Sequence, residues 1–167
     1  MIMRMPLVSL VAVLAITGAG VAQSPSQHLP SATPQEIVAG AKSCIAATTA
    51  KSVDSAKLRA DGWNTASVSN DGRAIETPMT FFGKGGLLLT FNKQRSTPIC
   101  FITAHLPAAA NFDAVAFAMD GGLGIAGKAK PSEAGTIYWF PTSYIVQLTA
   151  TGTPKEPAVR VAIGYRL

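Results

Sequence analysis

Hydrophobic positions recur along this chain first at helical spacing and then at strand spacing. Ile37, Ala41, Cys44 and Thr48 fall on one face of a helix. The "TPQE" just before them supplies a start: Thr33 as the cap, Pro34 in the first turn, and Glu36 placed to close a capping box. A shorter helix is predicted over "DSAKLRADGW", with Asp54 as its cap, Gly62 as its stop and Trp63 as a hydrophobic plug. From residue 65 onward the period drops to two. Strands are expected over 77–82, 87–92 and 99–106, joined by "GKGG" and "NKQRST", connections so short that neighbours must run antiparallel. The third strand is apolar on both sides, Ile99 and Phe101 on one and Cys100, Ile102 and Leu106 on the other. It is therefore expected to be central and covered on both faces.

The segment "NFDAVAFAMDGG" returns to helical spacing through Phe112, Val115, Ala116 and Met119, with Asn111 as cap, Asp113 in the first turn and Gly121 as stop. Strand-like stretches then follow in "TIYWF", "SYIVQLTA" and "AVRVAIGYRL", and no repeat of fixed period is visible. The order predicts an α+β fold: an antiparallel sheet of about six strands, with two N-terminal helices and one mid-chain helix packed on it.

The first 22 residues have a different character. Arg4 precedes the apolar run "LVSLVAVLAI", and "TGAGVA" follows with small residues, which is the anatomy of a secretory signal peptide cleaved between Ala22 and Gln23. The run is too short to span a bilayer, so no transmembrane anchor is expected after cleavage. Residues 23–32 read as a flexible leader, and residues 33–167 as a single α+β domain. The expected location is the periplasm or the exterior. There, Cys44 and Cys100, the only cysteines, are expected to form a disulfide between the first helix and the central strand.

Charge changes this picture little. Only 14% of residues are charged, and the formal net charge of +5 is spread thinly. Lys84 lies in one turn and Lys93 with Arg95 in the next, at opposite ends of a meander. With no basic stripe and no interleaved aromatics, nucleic acid is not an expected partner. Lys84, Lys128 and Lys130 remain candidates for contacts with an envelope or extracellular partner, whose identity and stoichiometry the sequence leaves open.

Catalytic and cofactor chemistry fares no better. "GGLGIAGKA" places Gly122, Gly124 and Gly127 in a dinucleotide-binding spacing and comes close to a phosphate loop at Lys128. Both motifs need a strand before the glycines and a helix after them, whereas a helix is predicted before and Pro131 follows. Ala129 also replaces the hydroxyl that would bind magnesium. No cofactor or metal is therefore expected. His105 is a candidate general base, with Asp113 or a nearby serine as its partner, and Glu76, the carboxylate closest to a strand, is a second catalytic candidate. Neither belongs to a recognisable catalytic motif.

Finally, Val159, Val161, Ile163, Tyr165 and Leu167 alternate with Arg160, Ala162, Gly164 and Arg166. This run resembles the closing strand of outer-membrane β-barrels, although the predicted helices and the 7% aromatic content speak against one. By elimination, the sequence favours an exported binding or interaction protein over an enzyme. The alternatives are a hydrolase centred on His105 and a membrane barrel.

Overall fold

A computed structural model describes residues 29–70, 73–92, 98–124, 130–133, 135–141 and 143–166. Helix α1 (Pro34–Ala47) begins at the expected capping box: Thr33 accepts from the Glu36 amide, while the Glu36 carboxylate accepts from the Thr33 backbone N–H at 2.7 Å. Its predicted stripe is buried throughout, with Ile37, Ala41 and Cys44 inaccessible and Thr48 at its C-cap. Asp54 caps α2 (Ser55–Ala60) by accepting from the Ala56 and Lys57 amides. Gly62, at φ +83°, follows that helix in a left-handed turn that a residue with a Cβ rarely adopts. Trp63 is buried immediately afterwards, as a plug should be.

The chain then runs through the short strand β1 (Asn64–Ala66) and a small hairpin of β2 (Ser69–Asn70) and β3 (Arg73–Ala74). A meander follows: β4 (Met79–Lys84), β5 (Leu87–Asn92) and β6 (Ile99–His105). Helix α3 (Asn111–Gly122) leads into a second meander of β7 (Lys130–Glu133), β8 (Thr136–Trp139), β9 (Tyr144–Gly152) and β10 (Pro157–Tyr165). The predicted starts and stops shift slightly at α3: Ala110, not Asn111, is the N-cap, and the helix continues past Gly121 to Gly122, with Leu123 as its C-cap.

The main sheet is antiparallel and has eight strands in the order β1-β4-β5-β6-β10-β9-β8-β7. The α+β class and the helices on the sheet are as expected, with more strands than the six anticipated. The first half of the chain contributes α1, α2 and the sheet strands β1, β4, β5 and β6, the second half contributes α3 and the other four strands, and the halves meet where β6 pairs with β10. Among the described residues the sheet is open, with β1 and β7 at its edges, so β10 is an interior strand and closes no barrel.

One side of the sheet is the core. A row of Phe82, Leu89, Ile102, Val161, Leu148 and Ile137 crosses six strands in register and faces the helices. Helix α1 contacts β5, β6 and β10, and both α2 and α3 pack beside it. Gly40 lets α1 lie close on β5: a Cβ there would come within 2.9 Å of Leu87 Cδ1. The Cys44–Cys100 disulfide joins α1 to β6 with the two Cα atoms 6.0 Å apart. On the C-terminal side, the indole N–H of Trp139 in β8 donates to Asp120 of α3 at 2.6 Å.

Two local expectations need correction. The end of the supposed flexible leader is held in place: Ala32 is buried, its N–H donates to the His105 carbonyl at 2.9 Å, and Ser31 bridges His105 in parallel. The reverse side of β6 is not covered by a helix. Ile99, Phe101 and Thr103 there are only half-buried, because all three described helices lie on the other face.

Candidate functional site

Strand alternation builds the open face of the sheet. In register across it run Phe81, Thr90, Phe101, Ala162, Gln147 and Tyr138. The adjacent row holds Leu88, Thr103, Arg160 and Thr149. Ile145 and Phe140 extend the apolar surface toward the β8–β9 turn at 39% and 46% exposure, and Phe140 stacks on Tyr138. Arg160, exposed near the middle, lies over the Phe101 ring at 5.9 Å from its centroid. No Asp, Glu or Lys occupies an outward position on β4, β5, β6, β8, β9 or β10. Arg160 therefore has no ion-pair partner among the described residues.

On the helix side, Lys84 is drawn into a polar cluster. Its ammonium donates to the Asp61 carbonyl and stands 3.7 Å from the Asp61 carboxylate, 6.0 Å above the Trp63 ring. The Ser43 hydroxyl donates to the same carboxylate. These groups border a pocket of about 120 Å³ between α1 and the β4–β5 turn, with Glu36, Gly40, Ser43, Trp63, Lys84 and Leu87 in its walls. The ion pair is solvent-exposed and is worth about 1 kcal/mol or less.

Two carboxyls here are held below their ordinary values. The Thr33 backbone N–H, followed by its hydroxyl, lowers Glu36. The Ser43 hydroxyl is the main influence lowering Asp61, opposed by partial burial and reinforced by the Lys84 charge. The Trp63 indole N–H makes no directed hydrogen bond, yet it lies near enough to the Asp61 carboxylate to add slightly to that lowering. Groups depressed in the folded state stabilise it above their unfolded values, and that stabilisation is lost as pH falls through the folded values. Urea midpoints should therefore begin to fall as pH drops below 4.5 and then 3.8, the ordinary values of the two groups. A Glu36→Gln, Asp61→Asn double variant should show a shallower decline; an identical acid slope would contradict the assignment.

The other candidates are scattered. His105 ends β6 half-buried and opens onto a concavity of about 250 Å³ shared with Ser31, Lys155 and Glu156. Among the described residues no hydrogen bond joins its side chain to Asp113, Glu156 or a serine. Glu76 lies in the loop between β3 and β4, exposed along a groove of about 830 Å³ beside the sheet edge, with no second carboxylate in the lining. Lys128 falls outside the described residues, and Lys130 is placed only as the backbone position paired with Tyr138. Of "GGLGIAGKA", Gly121 and Gly122 end α3 and Gly124 turns at φ +60°, so a helix and not a strand precedes the glycines; positions 125–129 fall outside the described residues. No described helix is long and apolar enough to cross a membrane. Compared with known protein families, curated proteins and solved structures, the chain matches none.

Proposed function

We propose that this is an exported binding protein that engages a protein partner through the open face of its sheet and catalyses no reaction. The observation carrying this reading is the composition of that face: Phe81, Phe101, Tyr138, Met79 and Arg160 outward, with neither carboxylates nor lysines at the outward positions of the six strands that form it. Aromatic residues, Met and Arg are enriched at the centres of protein interfaces, while Lys, Asp and Glu are depleted there. Export is supported by the N-terminal sequence pattern and by a disulfide, a bond that persists in oxidising compartments. Cleavage between Ala22 and Gln23 would deliver the chain to the periplasm or beyond.

Photo-crosslinkers at Thr103 and Thr149, which flank Arg160 in register, should capture a common partner. Crosslinkers at Lys42 and Lys57, exposed on the helix side, should not capture it.

A hydrolase centred on His105 is the second reading. The proximity of Ser31 and Glu156 around one concavity favours it, and the lack of hydrogen bonds linking them to His105 among the described residues weighs against it.

A further inference from the structure

The pocket beside Trp63 has a chemistry distinct from the open face. One wall is a single stripe of α1, with Glu36, Ala39, Gly40 and Ser43 at helical spacing; the other is the β4–β5 turn, with Lys84, Gly85 and Leu87. The two small residues on the helix leave the space open, and the Trp63 ring and Leu87 give it an apolar body. Glu36 uses Oε2 for both of its bonds to Thr33, and its Oε1 lies 3.9 Å from where a Gly85 Cβ would stand, with no hydrogen bond among the described residues. Lys84 has three donors, and its contacts with Asp61 leave capacity unused. The opposing charges of Glu36 and Lys84 line one pocket without forming an ion pair with each other.

We infer that this pocket binds a small zwitterion of α-amino acid type, its ammonium on Glu36 Oε1, its carboxylate on Lys84 and its side chain against Trp63 and Leu87. Specificity follows from the two walls together. A simple anion would face the Glu36 carboxylate and a simple cation the Lys84 ammonium, whereas a molecule carrying both charges satisfies each wall. The volume of about 120 Å³ restricts the ligand to small aliphatic side chains.

Isothermal titration of the full mature chain with alanine, valine and leucine tests this, with acetate and methylammonium as half-ligands. At least one amino acid should bind saturably while both half-ligands fail. Glu36→Gln preserves the capping box, since glutamine also closes one, and removes only the charge. Lys84→Met keeps the aliphatic stem. Each variant should bind about tenfold more weakly, the scale of one charge-assisted hydrogen bond. Lys42→Gln, outside the pocket, should bind as the wild type does. The inference is overturned if none of the three amino acids binds, if acetate binds as well as the amino acids, or if either charge-removing variant retains full affinity.

Discussion

Replacing Cys44 and Cys100 together by alanine is expected to remove about 4 kcal/mol of stability, the chain-entropy value for a loop closed across a separation of 56 residues. The bond restrains the unfolded chain across α1, α2 and the first meander, so its loss frees that ensemble more than it disturbs the native contacts. Against the roughly 5–15 kcal/mol typical of a domain, this is a large fraction. The melting midpoint should fall by on the order of 10 °C. The denaturant slope should rise as well, because an unlinked chain exposes more surface on unfolding. Reduction of the wild type should reproduce the shift, and alkylation of the denatured, unreduced protein should find no free thiol. An unchanged midpoint after reduction would mean that the bond does not brace the fold.

Trp139→Ala should cost about 3–5 kcal/mol, the range for emptying a large aromatic site. Trp139 is fully buried at the end of β8, where its ring belongs to the apolar core and its N–H donates to Asp120 of α3. A carboxylate in the last turn of a helix opposes the macrodipole, and this bond gives Asp120 a structural reason to be there. Trp139→Phe separates the two contributions. It keeps most of the apolar volume and removes the donor, so its expected cost is about 1–2 kcal/mol. Urea unfolding of both variants measures the difference, and equal destabilisation by Phe and Ala would place the whole effect in the hydrogen bond.

What the sequence revealed, it revealed through local signals. Thr33, Pro34 and Glu36 marked the start of α1, and the stripe through Cys44 pointed one cysteine at the core, which made Cys100 its natural partner. Strand β5 has the bounds that its alternation predicted. Other elements left no such trace. Three-residue β1 is too short to show a period, and β7 contains Pro131, which lacks an N–H and is tolerated because β7 is an edge strand. The even division of the sheet, four strands from each half of the chain, is likewise invisible in the sequence, which shows no repeat of fixed period.

The sites depended on contacts between distant parts of the chain. Ile99 and Phe101 made β6 look buried on both faces, because a half-exposed aromatic on an open sheet has the same local pattern as a buried one. Lys84 was legible as a turn cation, but the Asp61 that holds it is 23 residues away, and Ser43 lies 18 residues from Asp61 on another element. Ser31 reached His105 through backbone pairing, which needs no particular side chain.

The most direct test of the open face is the yield of photo-crosslinks from Thr103 and Thr149 in living cells, compared between the wild type and Arg160→Glu. Arg160 lies between these positions in register and is exposed, so its reversal should leave the fold intact while introducing repulsion at the centre of the contact. The account predicts one shared partner from both positions, lost in Arg160→Glu, and absent from crosslinkers at Lys42 and Lys57. Capture from the helix side alone, or open-face capture indifferent to Arg160, would contradict it.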